Sequence, residues 1–349
     1  MNTSEKPFII PIFLPQAGCS HQCIFCNQTA ITGVRQKHFS CEDFRVKVRD
    51  FLKYKGGHRK PVQISFYGGT FLGLPESEIR QWLGEAAHFA ATGEADSIRF
   101  STRPDSITKE RLDIINDFPV STIEVGVQTM NDSVLAAARR GHTASDTENA
   151  VCLLHERNYE IGLQMMVGLP DDTPGKALIT AKKIAEMSPD FVRIYPTLVI
   201  ENSPLAAWYR SGKYAPLSLE QAVALVKDIY LVFRQSNIPV IRMGLQASQD
   251  LDNAGIVLAG PYHPSFGHLV YSKVFLDTAL NEITHAGISD FTGSAISLRV
   301  HPRSLSKMRG MNNQNIKTIT DRFHPAFIRV ISDVSLSEAD VKVQYESQI

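Results

Sequence analysis

The feature that most constrains this chain is an alternation, in which short β-rich runs recur with amphipathic stretches between them. The runs with strand character are Phe8 to Leu14, Val62 to Tyr67, Ile98 to Thr102, Ile123 to Gln128, Leu163 to Val167 and Phe191 to Leu198. Helical patterning falls near Glu42 to Tyr54, Glu76 to Ala91, Lys109 to Asn116, Ala144 to Arg157 and Pro174 to Met187. Thr173 suits an N-cap and Pro174 the first helical position. Strands separated by helices pair in parallel, because the helix carries the chain back across the sheet. Six βα units in an α/β fold follow, and 349 residues with 43% hydrophobic content can bury one large domain with an appendage, or two domains.

Most of these strands end in turn formers or polar residues: Gln16-Ala17-Gly18, Gly68-Gly69-Thr70, Arg103-Pro104-Asp105, Gln128-Thr129 and Gly168-Leu169-Pro170. In parallel barrels the loops at the carboxyl ends of strands converge on one face, so the chemistry is expected there. The pattern changes after Tyr214. A long helical stretch from Leu219 to Gln235 leads into the run Pro239 to Leu245, and the remainder, with Gly260-Pro261-Tyr262-His263-Pro264, reads as irregular. Residues 1–214 are therefore expected to form the barrel. Residues 215–349 are expected to form a smaller C-terminal α+β domain, a candidate region for binding substrate or RNA.

Lys plus Arg equals Asp plus Glu, at 36 each, so no net field gathers nucleic acid from a distance. No run reaches the roughly 18 consecutive apolar residues of a membrane span, and the first residues lack a signal-peptide pattern, so a cytoplasmic location with no membrane partner is expected. Five cysteines make an odd number, and Cys41 and Cys152 stand alone, which is a poor disulfide framework.

The other three are packed into Gly18-Cys19-Ser20-His21-Gln22-Cys23-Ile24-Phe25-Cys26, a C-x3-C-x2-C spacing directly after the first strand. Chance supplies such a pattern roughly once in a thousand chains of this composition. Thiolates favour soft or borderline metals, and Fe–S clusters sit in short turn-rich loops. Three thiolates on a cubane leave a fourth iron open to substrate or cofactor. The competing reading is zinc with His21 or a distant residue as fourth ligand, but structural zinc draws on two separated knuckles, and no second C-x2-C exists here. Elsewhere, Gly68 and Gly69 let backbone approach a ligand closely or simply make a tight turn. Arg103 offers a guanidinium to an anion or pairs with Asp105 at the surface. Gln128 is a polar strand tip, and Met165 and Met166 suit plain core.

The spacing C-x3-C-x2-C, with Phe25 before the last cysteine in the first βα loop of six units, resembles the radical S-adenosylmethionine (SAM) superfamily. The resemblance implies a partial (β/α)6 radical SAM barrel with a 4Fe–4S cluster on Cys19, Cys23 and Cys26. It also implies reductive cleavage of SAM to methionine and a 5'-deoxyadenosyl radical that abstracts hydrogen from substrate. On this reading Gly68, Gly69 and Thr70 correspond to the family's methionine-binding motif, with Thr70 where Glu is common. Ser101 and Arg103 would hold the SAM carboxylate or ribose, Gln128 would meet ribose or substrate, and Phe25 and Gly168 would border the cofactor. An external electron donor of flavodoxin or ferredoxin type is implied.

Within the superfamily, Tyr67-Gly68-Gly69-Thr70-Phe71, Thr102-Arg103-Pro104-Asp105, Gly126-Val127-Gln128-Thr129, Gly168-Leu169-Pro170 and Arg193-Ile194-Tyr195-Pro196-Thr197-Leu198-Val199 resemble the catalytic subunit of Elongator, a family that modifies wobble uridine of tRNA. The compact cysteine spacing departs from that subunit, and Ser101 stands where an acidic residue is usual. The last hundred residues show no acetyl-CoA-binding glycine pattern, so no acetyltransferase domain is expected. From Arg299 to Arg329, Arg299, Arg303, Lys307, Arg309, Lys317, Arg322 and Arg329 face Asp321 alone, a run that suits either phosphate binding or a solvated basic face. The leading expectation is a radical SAM enzyme with tRNA as candidate substrate. The alternatives are an enzyme resembling oxygen-independent coproporphyrinogen oxidase and, in another class, a non-enzymatic RNA-binding protein with a structural metal.

Overall fold

Strands rich in Val, Ile and Phe bury both faces only when side chains cover them above and below, and that is how this chain uses them. In a computed structural model, which describes residues 7–28, 39–56, 61–245, 255–285 and 294–347, seven parallel strands run in spatial order β1-β2-β3-β4-β5-β6-β8. They are β1 (Phe8–Phe13), β2 (Val62–Tyr67), β3 (Ser97–Thr102), β4 (Val120–Gln128), β5 (Glu160–Val167), β6 (Phe191–Pro196) and β8 (Val240–Met243). A short β7 (Val199–Ile200) pairs instead with β9 (Val257–Ala259). The sheet curls into the half-barrel that the alternation implies, with helices outside.

The helices start where capping chemistry allows. Ser40 and Asp43 form a capping box on α1 (Cys41–Lys53). The next three, α2 (Glu76–Ala91), α3 (Lys109–Ile115) and α4 (Asp132–Ala137), are followed by α5 (Ala144–Glu156), which has a Thr143/Asp146 box. Thr173 accepts from the Lys176 N–H to open α6 (Pro174–Glu186), with Pro174 at the first turn as expected. One core, from Ile10 and Ile64 through Phe100, Ile123 and Leu163 to Ile194, joins the sheet to these helices.

Two expectations are corrected. The sheet does not stop at residue 214: after α7 (Pro204–Arg210), the apolar face of α8 (Leu219–Gln235) packs into the same core through Leu225, Ile229 and Phe233, and β8 adds a seventh strand beside β6. The described residues after Gly260 also form regular elements where an irregular stretch was expected. A 20-residue helix, α9 (Phe266–His285), puts Phe266 and Val270 into the first core and Phe275, Leu276, Ala279 and Ile283 into a second. That second core lies under β10 (Ser294–Val300), β11 (Phe327–Ser332) and β12 (Val341–Ser347), with α10 (Leu305–Arg309) and α11 (Gln314–Phe323), a small α+β unit. The basic run within it is partly neutralised from outside the run: Arg299 pairs with Asp333 at 3.0 Å and Arg303 with Glu338 at 2.9 Å. No helix among the described residues is long and apolar enough to cross a membrane.

Candidate active site

The three cysteines sit in a loop fixed from both sides. The Leu14 N–H continues the ladder to the Tyr67 carbonyl at 2.8 Å, after which Gln16 and Gly18 turn the chain through left-handed backbone. Gly18 is required there twice over, since its φ is +70° and a β-carbon would lie 2.2 Å from the Thr70 carbonyl oxygen. Between Cys23 and Cys26, Ile24 is fully buried against Val134, Ala138, Leu169 and Leu205. Its N–H donates to the Ala138 carbonyl and its carbonyl accepts from Leu205. An apolar anchor thus leaves its polar neighbours turned toward the cavity.

The loop after β2 interlocks with it. The Thr70 N–H donates to the Ala17 carbonyl at 2.8 Å, and a β-carbon on Gly69 would lie 2.3 Å from that same oxygen. Cys19 Sγ lies 3.3 Å from Thr70 Oγ1. Cys23 Sγ accepts from Arg140 Nη1 at 3.0 Å, while Arg140 Nη2 donates to the Gly126 carbonyl at 2.7 Å. Burial pushes the Cys26 thiol up to about 12, helped by the negative charge that Cys23 and Cys19 would add. Three thiolates therefore share this space only with a cation to neutralise them. Among the described residues no three His, Cys, Asp or Glu donors gather closely enough for a single metal ion. His21 is exposed, with Nδ1 2.8 Å from Ser20 Oγ and its ring against Gly141.

All three cysteines line a cavity of about 1080 Å³ at the carboxyl ends of the strands, and Phe25, Gly68, Gly69, Thr70, Ser101, Arg103 and Gln128 share its wall. Arg103 does pair with Asp105, by two bonds of 2.9 Å; Asp105 is exposed, but Arg103 itself is buried, at 4% exposure. Burial works against its charge, and Asp105 outweighs it to hold the pKa above the ordinary value. Its Nη1 is buried without a partner, a donor left for a ligand. Gln128 sits at a register shift with φ +65°, a left-handed conformation costing about 1–2 kcal/mol for a residue with a side chain. A β-carbon on Gly126 would come within 2.9 Å of Gln128 Nε2 and 3.3 Å of Arg140 Nη2, so the glycine makes room for both.

Gly168 is placed elsewhere. Its N–H donates to Asp172 at 3.1 Å and its carbonyl accepts from the Tyr214 hydroxyl at 2.6 Å, closing the loop after β5 away from the cavity wall. Sequence reasoning missed Arg140, which follows a six-residue helix and has no periodic pattern to mark it. It also missed a buried charge network beside the cavity. Glu124, fully buried, accepts from Gln164 at 2.7 Å, Arg193 at 2.9 Å, and Arg99 and Tyr67 at 3.3 Å. Burial opposes the Arg193 charge, but Glu124 and Tyr195 hold its pKa above the ordinary value. The signal was present in the alternation of charged or polar with apolar residues along Arg99, Glu124, Gln164 and Arg193 in buried strands.

Comparison with known proteins bears on this geometry. Residues 13–184 match the radical SAM superfamily, and residues 189–275 match the radical SAM C-terminal domain. The chain belongs to the radical SAM superfamily. It is a radical SAM enzyme, and the cofactors of that family are a 4Fe–4S cluster and SAM. It is 28% identical over 246 residues to the tRNA uridine(34) acetyltransferase of Dehalococcoides mccartyi, covering 60% of this chain and 53% of that one. Against Elongator complex protein 3 of Saccharomyces cerevisiae it is 27% identical over 249 residues, covering 62% and 44%. The radical SAM chain thus spans about half the length of these curated relatives. N-terminally truncated Elp3 of Methanocaldococcus infernus shares the fold, with a TM-score of 0.59 at 19% identity over 76% of this chain and 62% of that one. The expected Elongator-like branch is borne out by these likenesses.

Proposed function

We propose that this radical SAM enzyme modifies tRNA, acting on a uridine as the names of its relatives state for them, in the cytoplasm and with an external reductant of flavodoxin or ferredoxin type. The single observation that carries the reading is the convergence of three thiols, an interlocked Gly-Gly loop and a buried unpartnered guanidinium atom on one cavity. Cys19, Cys23 and Cys26 would hold the cluster. Bound there, the cluster would supply the electron for reductive cleavage of SAM.

The protein's own residues do the positioning. The backbone at Gly68, Gly69 and Thr70 offers polar groups at close approach for the amino-acid part of SAM. Arg103, held by Asp105, has its Nη1 free to donate to a carboxylate of SAM, and a charge-assisted bond in a buried site is worth more than one in water. Ser101 and Gln128 offer hydroxyl and amide to the ribose, and Phe25 offers a ring face. Arg140 donates to Cys23 Sγ and so steadies negative charge on that sulfur. Gly168 acts at a distance, by shaping the loop after β5.

The test compares nucleosides of tRNA from cells with and without the gene by mass spectrometry. Loss of one modified uridine is the expected result, and identical nucleoside profiles overturn the tRNA reading while leaving family membership standing.

A further inference from the structure

The cavity has two unlike ends. At its β1 edge the inward residues are Ile9, Pro11 and Phe13, with Phe51 from α1, all apolar. At the opposite edge, β6 and β8 carry Arg193 and Arg242 as register partners, so the two guanidinium side chains leave adjacent strands, about 5 Å apart at their roots, on the same face. Among the described residues Arg103, Arg140, Arg193 and Arg242 line the cavity, and no Asp or Glu does. On a chain with equal numbers of basic and acidic residues this is a local excess of one sign.

Three of the four cations are accounted for. Arg103 has Asp105, Arg140 has the Cys23 sulfur and the Gly126 carbonyl, and Arg193 shares Glu124 with Arg99. Arg242 makes no hydrogen bond or ion pair among the described residues, and the Nε of neighbouring Arg193 is buried without a partner. A half-buried guanidinium beside another at a cavity wall, with no carboxylate of its own among the described residues, gains from an arriving anion. Its planar donors match phosphate or carboxylate oxygens two at a time.

We propose that Arg242, with Arg193 beside it, seats an oxyanion of the substrate, phosphate or carboxylate, at the β8 edge, while the organic part of the substrate lies toward the apolar β1 edge. This deepens the tRNA reading and rests on the same cavity. The oxyanion belongs either to an RNA backbone or to a small molecule, and the two sources are separable. Arg103 and Arg140 remain with the cysteine loop, so the β6/β8 pair forms a second subsite within the one cavity.

The test uses anaerobically prepared holoenzyme, wild type, Arg242→Gln and Arg242→Lys. A fluorescent anticodon stem-loop RNA is titrated across a series of salt concentrations, SAM affinity is measured in parallel, and inorganic phosphate and acetate are tested for thermal stabilisation. With a backbone phosphate in the seat, Arg242→Gln weakens RNA binding about 10- to 100-fold. The slope of log affinity against log salt becomes shallower by about 0.7, and SAM affinity does not change. Arg242→Lys restores the slope but only part of the affinity, since charge returns without the planar fork. If no variant binds the RNA but phosphate or acetate stabilises the wild type and not Arg242→Gln, the seat stands with a small-molecule substrate and the tRNA reading fails. If RNA affinity, salt slope and the phosphate and acetate responses are all the same in wild type and Arg242→Gln, the seat is overturned, while RNA binding by both proteins leaves the tRNA reading intact.

Discussion

Replacing Gly69 by Ala probes the interlock between the cysteine loop and the Gly-Gly loop. The added β-carbon would sit 2.3 Å from the Ala17 carbonyl oxygen and 2.9 Å from that of Leu14, where ordinary contact begins near 3.4 Å. Both obstacles are backbone, so the loop carrying Cys19, two residues beyond Ala17, must retreat by about 1 Å. That movement strains the Thr70 N–H to Ala17 carbonyl bond and costs about 1–3 kcal/mol, the usual range for overpacking. A displacement of this size at reacting groups lowers turnover by about 100-fold. Gly84→Ala is the matched control: nothing lies within 4 Å of its β-carbon, it is inside α2, and it should gain about 1 kcal/mol of helix propensity. Anaerobic reconstitution followed by iron analysis, urea unfolding and quantitation of 5'-deoxyadenosine reads all three quantities. Wild-type turnover and stability in Gly69→Ala would refute the interlock.

Glu124→Gln leaves Arg99 and Arg193 without their shared carboxylate and should destabilise the fold by about 3–5 kcal/mol in urea unfolding, with a change under 1 kcal/mol counting against the network. Burial, then Arg140 and Arg103, lower the pKa of His142 to about 4, so the fold holds it neutral; the unfolded chain takes up its proton first as pH falls from about 6.5, and stability drops by on the order of 3 kcal/mol by pH 4. His142→Asn should flatten that part of the wild-type stability profile, and parallel profiles would show that His142 is not responsible. Arg140→Leu removes the donor on Cys23 Sγ and a positive charge, so the reduction midpoint of the reconstituted protein should fall by roughly 50 mV in an anaerobic titration, an unchanged midpoint placing Arg140 outside the cluster's influence.

What the sequence disclosed and what it hid follow from the same physics. The first six parallel strands were legible because each is a short apolar run bounded by turn formers, and Val62–Tyr67 and Glu76–Ala91 appear at the expected residues. The cysteine loop was legible through its spacing. The seventh strand falls within the run Pro239 to Leu245, but its brevity and Arg242 within it gave no sign that it joins the barrel sheet. The helix Phe266–His285 was obscured because its first half faces one core and its second half another, which blurs a single apolar stripe. Arg140 and the Glu124 cluster depend on residues far apart in sequence, and no local pattern reports such contacts. The Arg103–Asp105 pair was visible as a motif, but the burial of Arg103 depends on the fold around it.

The metal and SAM chemistry of anaerobically reconstituted protein, wild type beside Cys23→Ala, tests the assignment of the three thiols most directly. Wild type should bind about four iron and four sulfide per chain and release 5'-deoxyadenosine when reduced with SAM, and Cys23→Ala should lose both. Wild-type protein without such a cluster, or with one that releases no 5'-deoxyadenosine, would contradict the assignment of the three thiols.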